Sequence, residues 1–232
     1  MTPAHVIAAP LHSLTLRFRN GVSQVGVVKT LEDLALRALN RLVYVRILKA
    51  LAIQTPDPRC LERRAEYAYG FLGGEQVLAF AADERYELGV DFTREALAKG
   101  DECYGIVHDG VLASYGWYSN RPTVAVTDDL VLRFDPRYVY MYKGFTHEAY
   151  RGQRLHAAGM ALALQEYRAR GCQGIVSYVE SNNYSSLKSC YRMGYVPFGQ
   201  VTLVRAFGRY FIRASEGCQE YGFELLPREA AL

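Results

Sequence analysis

No two of the five cysteines, Cys60, Cys103, Cys172, Cys190 and Cys218, are spaced C-x-x-C, and their number is odd. Structural zinc and a disulfide framework are therefore not expected, and a reducing cytoplasm is the natural compartment. Long apolar runs are missing too: none reaches the about 18–20 uncharged residues that span a bilayer. The N-terminus lacks the charged start, apolar centre and cleavage site of a signal peptide, so a soluble cytoplasmic protein is expected. Charge of one sign is scarce, with 27 Lys and Arg against 24 Asp and Glu. A nucleic-acid partner, which calls for a dense basic face, is not expected. Internal repeats and low-complexity segments are absent as well.

What excess of base exists lies early. Residues 1–60 carry eight Lys or Arg against three Asp or Glu. Ser13 to Val28 alternates around Asn20-Gly21, as a short hairpin would. Thr30 followed by Asp33 reads as a helix start, and Leu31 to Ile53 keeps apolar residues on much of its surface, with Arg37, Arg41, Arg46 and Lys49 among them. This predicts an N-terminal extension over 1–60 with a helix over 31–53, either packed on the main domain or lying on a membrane surface or in a partner groove. Pro56 and Pro58 close it, and the main domain is expected over 61–232.

Within that domain the patterning predicts a strand over 66–72, a weak helix over 73–83 and a helix over 91–100 with a closing Gly. A hairpin over 102–119 turns at Asp109-Gly110, and a polar loop over 120–136 leads to an aromatic strand, Tyr138 to Phe145. Next come a helix from His156 to Arg170, a buried strand over 174–179, a helix over 185–193 and two strands joined near Gly208. The order implies an α/β fold, a mixed sheet with helices on both faces.

The stretch Arg151-Gly152-Gln153-Arg154-Leu155-His156 joins the aromatic strand to an alanine-rich helix. A basic Gly-containing turn that reopens as a helix gathers unpaired backbone N–H groups at the positive end of the helix dipole. Such a turn suits a pyrophosphate.

This turn, the order of elements, and Asn183-x-x-Ser186 ahead of Gly194-Tyr195 together resemble the GNAT acyltransferase superfamily. The resemblance covers about residues 62–225. It implies a GNAT-like, mostly antiparallel central sheet flanked by helices, and acetyl-CoA or another acyl-CoA as co-substrate without a metal. By position it implies that Arg151, Gly152, Gln153, Arg154, Leu155 and His156 hold the pyrophosphate, and that Phe145 and Thr146, with Asn183 and Ser186, contact the rest of the donor. Arg154 stands where the family usually has Gly, and His156 where it has Gly or Ala. The family's acid is commonly a Tyr four residues before the second Gly; that place holds Cys190, with Tyr191 next to it, so either residue is a candidate. Glu148 and His147 are candidate bases, with Tyr142 further back on the strand. The activity implied is transfer of an acyl group, most simply acetyl, to a primary amine. Alternatives are a long-chain enzyme taking its donor from an acidic acyl carrier protein, suggested by the basic 31–53 segment, and a degenerate module that only binds CoA. A homodimer stays open.

Overall fold

The computed structural model describes residues 26–39 and 43–230; the hairpin expected over 13–28 falls mostly outside them. Its main feature is an eight-stranded sheet in the order β10-β9-β1-β8-β7-β4-β3-β2. The strands are β1 (Tyr44–Ile53), β2 (Ala68–Phe71), β3 (Glu102–His108), β4 (Val111–Ser119), β7 (Tyr138–Thr146), β8 (Gly174–Glu180), β9 (Val196–Ala206) and β10 (Arg209–Ala214). Every neighbouring pair is antiparallel except β7 with β8. The helices are α1 (Val27–Leu39), α2 (Gly74–Ala81), α3 (Val90–Lys99), α4 (Leu155–Ala169), α5 (Tyr184–Arg192) and the short α6 (Glu216–Glu220).

Alternation along the strands divides the core between two faces. On one, Tyr118, Val139, Ile175, Leu51 and Ile53 pack against Leu162 and Leu164 of α4 and Leu187 of α5. On the other, Tyr115 and Trp117 meet Val77 of α2 and Ala96 of α3, while Leu48, Ala50, Val176 and Val201 meet Cys218 of α6. Gly159 lets α4 lie close on the sheet: a Cβ there would come within 3.3 Å of the Ile106 side chain.

Two expectations are corrected. The helix over 31–53 is instead α1 followed by β1, and β1 lies between β8 and β9 in the middle of the sheet. The cause is burial on both faces. Leu48, Ala50 and Ala52 face one layer and Leu51 and Ile53 the other, and such a run looks the same as a buried helix by periodicity alone. β-Branched Val45, Ile47 and Ile53 favour the strand. Its cations serve the sheet: Arg46 pairs with Glu180 at 3.2 Å and Lys49 Nζ donates to Gln200 Oε1 at 2.8 Å. The division at residue 60 thus follows a strand of the same sheet. The second correction concerns the loop over 120–136. It contains β5 (Thr123–Ala125) and β6 (Thr127–Arg133), which form a small antiparallel sheet with β11 (Glu224–Pro227). This sheet covers the apolar layer of Leu48, Ala50 and Val176 through Leu132 and Leu225, a long-range pairing that local patterning does not reveal.

Candidate active site

The opening between β7 and β8 creates the site. These strands pair from Tyr138 with Gly174 to Tyr140 with Val176, and the Ser177 hydroxyl donates to the Met141 carbonyl at 2.8 Å. Beyond that rung β7 continues beside β4 and β8 beside β1, so the two strands part. A bulge sits where they separate: Tyr118 faces Met141 and Trp117 faces Lys143, leaving Tyr142 as the extra residue. Its hydroxyl donates to Asp101 Oδ2 at 2.7 Å, and Lys99 Nζ pairs with the same oxygen at 2.9 Å. Burial and the Asp101 carboxylate raise the Tyr142 pKa, which leaves it a proton-holding phenol at neutral pH.

Along the open edge of β7 the ladder decides which amides are available. The His147 N–H donates to the Ala113 carbonyl at 3.0 Å. Directions alternate along an antiparallel ladder, so the Phe145 N–H also points to β4, while those of Gly144 and Thr146 point into the opening. The amides that face the cleft are thus those on either side of Phe145. The Phe145 ring stacks on Tyr115 with centroids 5.4 Å apart.

Past Thr146 the chain makes a 3₁₀ turn over Glu148–Tyr150 and enters the basic turn. Side chains on its outer side hold it. The Tyr150 hydroxyl meets His108 Nδ1 at 3.0 Å, and Leu155 is buried against Ile106 and Ala113. The Gln153 Oε1 accepts from Arg64 Nη1 at 3.1 Å and the Tyr67 hydroxyl at 2.9 Å, while Arg64 Nη2 donates to the Gln153 carbonyl at 2.9 Å. Gly152 (φ +82°) and Arg154 (φ +61°, ψ +20°) are both left-handed. Arg154 therefore takes the conformation a glycine would take freely, at a cost of about 1 kcal/mol. The first backbone bond of α4 runs from the Ala158 N–H to the Arg154 carbonyl at 3.0 Å. Among the described residues, the N–H groups of residues 152–157 have no acceptor.

A cleft of about 340 Å³ lies at the splay. Gly144, Phe145 and Thr146 of β7, His156 of α4, and Ser186, Ser189, Cys190 and Met193 of α5 line it. Burial pushes the Cys190 thiol up to about 11, so it is neutral at physiological pH. Tyr191 is not in the wall: it is 48% exposed, because adjacent helical positions point about 100° apart. Asn183 is also outside, its Oδ1 accepting from the Ser186 N–H at 3.2 Å as the α5 cap. His147 and Glu148 stand beyond the end of β7, with His147 Nδ1 accepting from the Ala149 N–H at 3.3 Å and Glu148 exposed. Gly144, Ser189, Met193, Arg64 and Tyr67 were not anticipated. Only Ser189 and Met193 left a signal, their helical spacing from Ser186; the Arg64–Gln153 bond spans 89 positions.

A mostly antiparallel sheet with helices on both faces is thus parted at its one parallel pair, beside an uncapped helix start. A model of the acetyltransferase (GNAT) family matches residues 66–195, more than half of the chain. The chain belongs to that family, whose members use acyl-CoA. No curated protein matches it with significance. Solved structures similar to it include a GNAT-family protein from Novosphingobium aromaticivorans, at 19% identity and TM-score 0.46, with 69% of this chain and 64% of that one covered. Another is an acetyltransferase from the GNAT family of Colwellia psychrerythraea, at 13% identity and TM-score 0.47, covering 84% and 72%. The chain thus spans just under two thirds of the length of the first. Among the described residues no helix is long and apolar enough to cross a membrane, and no group of three His, Cys, Asp or Glu side chains could hold a metal.

Proposed function

We propose that this protein is an N-acyltransferase that moves an acyl group, most simply acetyl, from coenzyme A to a primary amine by direct attack in a ternary complex. The run of unpaired amides over residues 152–157, ending at the β7–β8 opening, carries this reading. A pyrophosphate supplies the acceptors those donors lack, and Arg151 and Arg154 add positive charge. The Gly144 and Thr146 amides lie along the path of the pantetheine arm, and the Gly144 N–H suits the thioester carbonyl, whose oxygen gains charge as the amine attacks. Ser186, Ser189 and Cys190 form the opposite wall. Positioning and carbonyl polarisation then supply most of the rate.

Several roles considered from sequence lose support. A Cys190 acyl intermediate is disfavoured because a thiol held near 11 is a poor nucleophile at neutral pH. Tyr191, His147 and Glu148 stand away from the cleft wall, and Asn183 is engaged as a cap. The carrier-protein alternative rested on a basic helix whose second half is β1. The free cysteines fit a reducing cytoplasm.

Calorimetry with CoA, followed by thiol release from acetyl-CoA and long-chain acyl donors across a panel of primary amines, tests the proposal. CoA binding and efficient acetyl transfer are expected. Absence of CoA binding overturns the reading, and turnover with carrier-protein donors alone replaces acetyl by a long chain.

A further inference from the structure

His156 occupies a position where the resemblance calls for Gly or Ala, and it projects an imidazole into the site. Its ring fills the space above Gly144: a Cβ on that glycine would lie 2.5 Å from His156 Cε1. Gly144 carries one of the two β7 amides that face the opening. The same ring lines the large cleft on one side and, on the other, an enclosed space of about 10 Å³ walled by Ser114, Tyr118 and Tyr104. A space of this size takes a single water when polar groups surround it. Neither ring nitrogen has a hydrogen-bond partner among the described residues. The ring is half-buried and its nitrogens are open to the cleft.

Resting on the acyltransferase reading, we infer that His156 is the proton carrier of the reaction, taking a proton from the attacking nitrogen and delivering it to the departing sulfur. The C–N bond forms as the amine lone pair attacks, and the proton then borne by that nitrogen moves to the imidazole. The C–S bond breaks, its electron pair stays on sulfur, and the imidazolium returns the proton there, so the residue ends as it began. The amine's other ionisable proton leaves to solvent before attack.

The surroundings suit such a relay. The titratable groups that face the ring are Cys190 from α5, Tyr104 from β3, and Tyr115 and Tyr118 from β4; β7 presents only Gly144, Met141, Phe145 and Thr146. No Asp, Glu, Lys or Arg is among them, and desolvation alone lowers the His156 pKa below its usual value, which keeps it neutral and ready to accept at pH 7. Cys190 and the tyrosines, held protonated by burial, do not compete for the proton.

The test titrates the His156 ring by NMR in the free protein and in complexes with CoA and desulfo-CoA, whose binding calorimetry records separately. Loss of the resonance in His156→Gln assigns it. The pyrophosphate of either ligand raises the imidazole pKa, and with CoA a further rise beyond that with desulfo-CoA is expected, because the imidazolium also pairs with the sulfur. In transfer assays His156→Gln is expected to lose about 100-fold or more in kcat, with the acid limb of the pH profile. His156→Ala, which restores a small residue, should fold, bind CoA and show the same defect. If both ligands bind and the ring titrates identically with each, or if the variants keep the wild-type pH profile, the inference falls while the acyltransferase reading stands. If neither ligand binds, both fall.

Discussion

The two helices that wall the cleft begin in opposite ways. At the start of α5 the Asn183 Oδ1 takes the Ser186 N–H and the Ser185 hydroxyl, so the helix supplies its own first acceptor. At the start of α4 nothing caps the amides: Arg154 is the entry residue, no acid stands in the first turn, and the backbone is left-handed at both Gly152 and Arg154. By contrast α2 and α3, remote from the cleft, carry Glu75 and Asp91 in their first turns. A helix start left bare and flanked by arginines favours an external anion, whereas a capped start frees the following side chains to face the cavity. α4 thus offers its backbone to the donor, and α5 offers Ser186, Ser189, Cys190 and Met193.

The largest expected effect concerns the side-chain wall. With its pKa raised from 9.0 to about 11, Cys190 should present about 100-fold less thiolate than an ordinary cysteine, and its alkylation should accelerate about tenfold per pH unit until that value is reached. Mass-spectrometric timing of iodoacetamide labelling reads this, and labelling at the speed of a free thiol would show that α5 presents a reactive group after all. Next is the backbone wall. Gly152→Val places a β-branched residue at φ +82°, and the turn must move. CoA affinity should fall at least about tenfold, or 1.4 kcal/mol, by calorimetry, while an unchanged Kd would detach the turn from donor binding.

A pair of substitutions then separates the two starts by stability. Arg154→Gly removes left-handed strain and should raise the unfolding free energy by about 1 kcal/mol. Asn183→Ala removes a cap and should lower it by about the same amount, with CoA affinity nearly unchanged. Denaturant unfolding measures both, and equal signs would break the contrast. The smallest effect is one of pH. The His156 pKa is depressed in the folded state, so the unfolded chain binds more protons in the acid range. The associated stability is fully present above the ordinary histidine value of about 6.5 and is lost as pH falls through the folded value. His156→Gln should flatten that decline, and chemical denaturation at stepped pH would reveal it.

Much of the architecture was legible because local chemistry dictated it. The Asp109-Gly110 turn, Gly171 after α4 and the small-residue face of α4 are short-range signals, and the elements around them lie within a residue or two of expectation. β1 was not legible as a strand, because a segment buried on both sides shows no alternation; only its partners β8 and β9 distinguish the two states. β5, β6 and β11 depend on pairing between residues 130 and 227, which no local pattern encodes. Within the site, the basic turn was readable as an anion site from Gly152 and its arginines. Which β7 amides face the opening was not, since that depends on the ladder with β4 and the bulge at Tyr142. The choice between Cys190 and Tyr191 likewise required the orientation of α5.

The position of β1 also sets the order in which this protein can be assembled. It is an early strand to leave the ribosome, yet its neighbours are β8, beginning at residue 174, and β9, beginning at residue 196. Until both have been made, Leu48, Ala50, Leu51 and Ile53 have no sheet to enter, and β9 and β10 join the remaining strands only through β1. The nascent chain must therefore carry an exposed apolar segment through most of its synthesis, a period in which chaperone capture or aggregation competes with folding. Sheet completion consequently waits on β9, and the wall of the opening contributed by β8 becomes firm only when this early strand is locked between two much later ones.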